Sequence, residues 1–373
     1  MVSTTSLSAP TDSGALSTTS LYRSQGYVTV SNLLSDDACR RLRNYIQLDL
    51  QNAVASSEEQ GGNGNSAHVG PASGSGRDDP PKSKPTAGSA AARLCNIRKR
   101  KNRWDLKLTP SPILSTTMAE ILNSDMSATE TQTSPEVVGF DNDTESYAQK
   151  EMGGNFLETV LAPLLGCQDA VEDVVLVELG SLISDPGAPA QDWHPDSTFD
   201  DGGDRNISYH GDDDKTSNQN SGLVCCFLAL QDTPPTMGPT EVIPYTHTRE
   251  FHESTWGSFP PKGVMPAYVA PKSAEAGYRV AGEACLMNCK LYHRGGANTH
   301  GLSDLSTSCR CDERTRSASQ VVNGGDNTND EDFDGRRFVF YFTVRSRAAP
   351  PPGGNFFSIV DELDGVQLID FVQ

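Results

Sequence analysis

The 373-residue sequence has no apolar run approaching membrane-spanning length; Leu223 to Leu230 is only a strand-sized stretch. It is also short of positive charge. Its 30 lysines and arginines face 49 aspartates and glutamates, for a formal net charge of -19 and a pI near 4.7. Repulsion from phosphate excludes a general nucleic-acid or anionic-membrane binder. The first twenty residues are Ser/Thr-rich and lack the apolar centre of a secretory leader, and a transit peptide would carry more arginine before Arg23. With nine cysteines, an odd number, this predicts free thiols in a reducing compartment, intracellular and cytoplasmic. No internal repeat is evident.

What is present is unevenly distributed. Acid collects at Asp200 to Asp214 and Asp326 to Asp334, whereas Arg93, Arg98 to Lys101, Arg103 and Lys107 form a basic run. The chain is long enough for two average domains, but its polar stretches favour one folded domain with long surface insertions. The expected organisation is a disordered tail over 1–20 and one domain over 21–350, interrupted at about 51–92 and 303–334. A C-terminal extension over 351–373 is expected to pack on that domain. The segment from about Gln51 to Ala92 is Gly-, Ser-, Pro- and Ala-rich, with too few apolar groups to offset the entropy of ordering.

Within the domain, Gly26 to Val30 reads as a strand. Ser35-Asp36-Asp37 caps a helix whose apolar residues Ala38, Leu42, Tyr45, Ile46 and Leu50 recur at three- and four-residue steps. Ser111-Pro112 starts a second helix running through Leu122, and Phe156, Val160, Leu161 and Leu164 mark a third. Beyond Gly166 the pattern becomes strand-like: Val174 to Val177 continuing through Leu179 to Ile183, then Leu223 to Leu230, Glu241 to Ile243, Glu283 to Tyr292 and Arg337 to Val344. Strands divided by Gly/Pro turns, with helices gathered towards the N-terminus, predict a mainly β protein with flanking helices. The architecture expected is a double-stranded β-helix, the jelly roll of cupin type.

Chemistry concentrates at Trp193-His194-Pro195-Asp196. A His and an Asp one residue apart lie on one side of an extended backbone and can grip one metal, as two thirds of the 2-His-1-carboxylate set that holds non-haem Fe(II). Among the seven histidines, His293, at the end of a strand in Tyr292-His293-Arg294-Gly295-Gly296-Ala297-Asn298, is the expected third ligand, with glycines that let backbone pass close to a bound group. His300 is the competitor. His68 and His210 fall in polar insertions, and His247 and His252 read as surface or hydrogen-bonded structural residues. An anionic co-substrate needs a cation, and Arg336-Arg337 opens the last apolar strand. Neighbours on a strand face opposite ways, so one of the two points inward, and Arg336 is the expected one. Gln191, Trp193 and Thr240, beside these words, are candidate contacts to the ligands or the co-substrate, and Tyr292 and Asn298 weaker ones.

Taken together, His194-x-Asp196, the later His293 word and an arginine opening the following strand resemble the phytanoyl-CoA dioxygenase family. Gln25-Gly26-Tyr27-Val28 through Ser35-Asp36 is similar to that family's opening strand and helix. Asp185-Pro186-Gly187 to Asp196 is similar to its metal segment, and Gly238 to Pro244 to its middle turn. The likeness covers about residues 20–50 and 93–350 outside the insertions. Thr299 to Gly335 lengthens a link that is usually short, and Tyr245 stands where the family commonly has a glycine.

The resemblance implies Fe(II) held by His194, Asp196 and His293, 2-oxoglutarate as co-substrate anchored by the arginine, and hydroxylation of a small-molecule or acyl substrate with dioxygen, releasing succinate and CO2. Halogenases related to the family have a small residue at the carboxylate position, so Asp196 implies oxygen transfer. Two rival readings stand beside this one. One is a non-catalytic jelly-roll scaffold; the other is a zinc protein using the same ligands or Cys285, Cys289, Cys309 and Cys311. The basic run Arg98 to Lys101 would suit an acyl-CoA substrate, and the sequence does not choose among acyl, alkaloid, peptide and amino-acid-derived substrates.

Overall fold

The computed structural model describes residues 17–61, 94–95, 102–126, 154–167, 170–197, 199, 222–256, 275–276, 280–301, 335–349, 359–360 and 362–372. Ordered structure begins inside the expected tail. Ser17 caps helix α1 (Thr18–Gln25) by accepting from Ser20 N, and Gly26, in the left-handed region, ends it and leads into β1 (Tyr27–Val30). Ser35 Oγ accepts from Ala38 N at the start of α2 (Asp36–Gly61), which buries Ala38, Leu42, Ile46 and Leu50. The helix continues to Gly61, ten residues past the expected start of the insertion: Ala53 and Val54 extend the apolar stripe beyond Gln51, and the change in composition does not break the backbone ladder. Residues 62–93 and 302–334, which hold most of the two expected insertions, lie outside the described residues, as does the basic run Arg98 to Lys101.

After β2 (Leu94–Cys95) and β3 (Arg103–Lys107), Ser111 caps α3 (Pro112–Leu122) through Leu114 N. The third expected helix is a π-helical turn, Leu157–Leu161, running into a short α4 (Ala162–Leu165). Strands β4 (Val174–Ser184), β5 (Leu223–Ala229) and β6 (Thr240–Val242) follow, then α5 (Arg249–Trp256), β7 (Glu275–Ala276), β8 (Ala284–Asn288), β9 (His293–Gly295) and β10 (Arg337–Ser346). They form a seven-stranded sheet in the order β1-β8-β5-β10-β4-β3-β2 and a three-stranded sheet β7-β6-β9, with antiparallel pairing throughout. This is the expected jelly-roll arrangement of two antiparallel sheets with helices outside.

One expected strand divides. The run Glu283 to Tyr292 stops pairing at Asn288, whose side-chain oxygen accepts from Lys290 N, and Leu291 N bonds back to Asn288 O. This tight turn passes the chain from the large sheet to the small one, so His293 opens β9.

Alternation along β10 sorts the core into two layers. Phe338, Phe340, Phe342 and Val344 pack towards the helices, with Leu42, Ile46, Met118 and Leu161. Val339 and Tyr341 face inward, between the sheets, with Phe227, Cys225, Cys289 and Val242. Beyond β10, Leu363 and Leu368 are buried in the helix-side layer, and Val366 O accepts from Leu176 N.

Tyr245 carries the clearest backbone strain. It has φ +66° and is 51% exposed, and its N donates to Gln25 O. The left-handed region costs a side-chain-bearing residue about 1–2 kcal/mol, partly offset because glycine loses more entropy on folding. The exposed ring returns little burial. Tyr245→Gly is therefore expected to stabilise the protein by roughly 0.5–1 kcal/mol, read as a rise of about 2 °C in melting temperature.

Candidate metal centre

The metal segment is held like an extra strand along β9. His194 N donates to His293 O and His293 N to His194 O, both at 3.0 Å, which places the two rings side by side with centroids 4.6 Å apart. Two residues on, the backbone N–H groups of Asp196 and Ser197 both donate to Cys289 O, and Asp196 Oδ1 lies 3.7 Å from His293 Nε2. One ligand atom from each of His194, Asp196 and His293 lies within 4.8 Å of the others, the only such cluster among the described residues. Each imidazole is fixed from behind: His194 Nδ1 lies 2.7 Å from Asp192 O, and His293 Nδ1 3.0 Å from Leu291 O. A carbonyl there requires Nδ1–H, which leaves both Nε2 lone pairs available for an ion.

Neighbouring residues secure this geometry. Gln191 Oε1 accepts from Gly295 N at 2.7 Å, while Gln191 N donates to Gly295 O, so Gln191 clamps β9 to the metal segment. Buried Arg103 donates to Pro189 O, Gly295 O and Gly296 O, tying β3 to both segments. Asn298 Nδ2 donates to Ser184 O and Gly335 O, closing the ends of β4 and β10. Thr240 pairs with Gly295 and is buried in the small sheet. The glycines serve close backbone packing. A Cβ on Gly238 (φ +65°) would lie 2.4 Å from Gly296 C, so the middle turn and the His293 word touch through backbone alone.

Two expectations are corrected. Trp193 does not face the site: it alternates away from His194 and lies under the Arg294 guanidinium at 4.5 Å, and Arg294 is itself paired with Glu241 at 2.6 Å. Arg336, the arginine expected to point inward, faces the other way. Its guanidinium pairs with Asp185 and Gln47 Oε1 and lies over Trp104. The inward arginine is Arg337, because it shares the odd-numbered face of β10 with Val339 and Tyr341, which pack between the sheets, whereas Arg336 precedes the strand.

Arg337 is 1% exposed, and its Nε and Nη1 have no hydrogen-bond partner among the described residues. Its register partner Ser184 is wholly buried, with an unpartnered Oγ. Leaving buried guanidinium nitrogens without partners is costly, which makes Arg337 a candidate for holding an anion. Tyr341 crosses above Gly180, where a Cβ would lie 2.9 Å from its hydroxyl, and donates to Asp105 Oδ1 at 2.7 Å. Tyr341 also stacks on Phe227, which reaches the His293 ring.

The remaining histidines are elsewhere. His247 Nε2 contacts Arg23 O and His252 Nε2 contacts Lys290 O, both rings being buried. His300 rests against Gly335 with Nδ1 near Thr236 Oγ1. His68 and His210 lie outside the described residues. Cys285 and Cys289 are buried, and burial pushes both thiols far above their usual range, unlike zinc-binding thiolates. Cys309 and Cys311 lie outside the described residues. Burial likewise draws His252 down to about 4. Since its folded value lies below 6.5, the neutral ring's contribution is complete above about pH 6.5 and is lost as pH falls towards 4. Replacing His252 with Gln is expected to flatten the fall in melting temperature across that window.

The phytanoyl-CoA dioxygenase family model matches residues 22–301. No curated protein matches the sequence. Similar solved structures include AviO1 from Streptomyces viridochromogenes Tue57, 13% identical over 91% of this chain and 100% of that one, with TM-score 0.37. SnoN, a non-heme alpha ketoglutarate dependent epimerase from nogalamycin biosynthesis, is 13% identical over 88% of this chain and 81% of its own, with TM-score 0.38. HygX from Streptomyces hygroscopicus, with nickel and 2-oxoglutarate bound, is 11% identical over 88% and 86%, with TM-score 0.40. Two imidazoles, one carboxylate and a buried guanidinium with two nitrogens unpartnered among the described residues fit the family's cofactor set of Fe(II) and 2-oxoglutarate. The chain belongs to the phytanoyl-CoA dioxygenase family of Fe(II)/2-oxoglutarate-dependent oxygenase-type enzymes.

Proposed function

We propose that the protein is a 2-oxoglutarate-dependent dioxygenase that hydroxylates a C–H bond of a small-molecule or acyl substrate, with release of succinate and CO2. The observation that carries this reading is the His194–Asp196–His293 cluster, joined by the buried Arg337 of β10, whose Nε and Nη1 have no partner among the described residues. In it, His194, Asp196 and His293 hold the iron, and Arg337 receives the distal carboxylate of 2-oxoglutarate, with Ser184 Oγ beside it. Bound there, iron supplies the oxidising chemistry that couples 2-oxoglutarate decarboxylation to attack on the substrate. The protein's part is to orient both ring Nε2 atoms through Asp192 O and Leu291 O, to seat the co-substrate's charge and to exclude bulk water from the inner layer. Asp196 fills the coordination position that a halide would need, which favours oxygen transfer over halogenation.

The test is Fe(II)-dependent succinate release from 2-oxoglutarate, screened against a metabolite library with His194→Ala as the blank. Slow substrate-independent release that at least one compound accelerates, and none in the blank, is the expected result. Equal release by both proteins would contradict it.

A further inference from the structure

The two ligand imidazoles are each fixed by an Nδ1 contact to a carbonyl; among the described residues the Asp196 carboxylate has no such partner and lies against His293. The backbone on either side contributes to its direction. On the N-terminal side that is the His194–His293 bridge, and at Asp196 itself the bond to Cys289 O. On the C-terminal side the first described side chain beyond Ser197 is Phe199, three residues after Asp196.

Phe199 is 8% exposed and held from several sides. Lys290 Nζ lies 4.4 Å from its ring centroid, the Arg249 guanidinium 4.7 Å, and the His252 ring meets it edge-on at 5.0 Å. Lys290 is 3% exposed and sits three residues before His293, and its carbonyl accepts the contact from His252 Nε2. One aromatic ring thus joins the segment that carries Asp196, the turn that leads to His293, and helix α5. A cation over an aromatic face contributes more when desolvated than when exposed, so the contact to buried Lys290 outweighs that to Arg249, which is 39% exposed.

We propose that Phe199 is a positioning residue for the metal centre: clasped between Lys290 and Arg249, it fixes the Asp196 carboxylate relative to His293. This rests on the assignment of His194, Asp196 and His293 as metal ligands.

The test uses Co(II) titrated into metal-free full-length protein, followed by its visible absorption spectrum, with circular dichroism and melting confirming the fold. Phe199→Leu keeps an apolar side chain but removes the ring face, and is expected to weaken Co(II) binding about ten-fold, as losses of outer partners do, and to alter the absorption bands. Phe199→Tyr is expected to restore both. Arg249→Met, at a half-exposed position, is expected to fold normally and weaken binding by a smaller factor, while Glu253→Gln, which removes only Arg249's own ion pair, leaves it unchanged. Wild-type affinity and spectrum in Phe199→Leu, or in Arg249→Met should Phe199→Leu not fold, would overturn the clasp alone. A wild-type protein that takes up no Co(II) would overturn the ligand assignment itself.

Discussion

Arg337→Met is expected to weaken 2-oxoglutarate binding by roughly a hundred-fold, about 3 kcal/mol, because the site would lose the buried charge matched to the distal carboxylate. The ligand-free protein is expected to be as stable as wild type or more so, since replacing a buried cation whose Nε and Nη1 lack partners removes a desolvation cost and keeps most of the side-chain volume. Arg336→Met is expected to do the reverse. It breaks a part-exposed ion pair with Asp185, costing up to about 1 kcal/mol of stability, and leaves co-substrate affinity near wild type. Calorimetric titration of N-oxalylglycine, an unreactive 2-oxoglutarate analogue, into the Co(II)-loaded protein, with melting of each metal-free protein, measures both quantities. Tight binding retained by Arg337→Met would remove the anchor from this wall.

The second large effect is at the ligands. Asp196→Ala or His293→Ala is expected to lower metal affinity beyond the 10- to 100-fold that loss of an outer partner costs, because each removes a donor and leaves the others too few to hold Fe(II). Neither change should unfold the protein. Asp196 is part-exposed, and the bridge that holds the segment to β9 is made by backbone atoms of His194 and His293. Metal content after reconstitution, read beside an unchanged circular dichroism spectrum, is the measurement.

Much of this site is legible in the sequence because it depends on short-range geometry. The His194-x-Asp196 spacing puts two donors on one face whatever surrounds them, and the glycines after His293 permit the backbone contact with Gly238. The helix caps at Ser35 and Ser111 are likewise local chemistry. Facing and register are not local. Whether Arg336 or Arg337 turns inward depends on which face of β10 packs between the sheets, and that is set by pairing such as that of Arg337 with Ser184 on β4, 153 positions earlier by subtraction of their numbers. That Trp193 faces away from His194 follows from local alternation, whereas its partner Arg294, from the far segment, does not. The roles of Arg103, Ser184 and Phe199 had no sequence signal, because each is defined by a partner distant in the chain. The Asn288 turn that divides the expected strand was readable in principle, since asparagine commonly bonds the backbone two residues on.

The central claim is that His194, Asp196 and His293 hold one ferrous ion that chelates 2-oxoglutarate. Anaerobic titration of the metal-free protein with Fe(II) in the presence of 2-oxoglutarate, followed by the visible charge-transfer absorption of the chelated iron, tests it most directly. The account predicts a band that saturates at one iron per chain and is absent from His293→Ala. Failure of wild type to develop the band, or an undiminished band in His293→Ala, would contradict it.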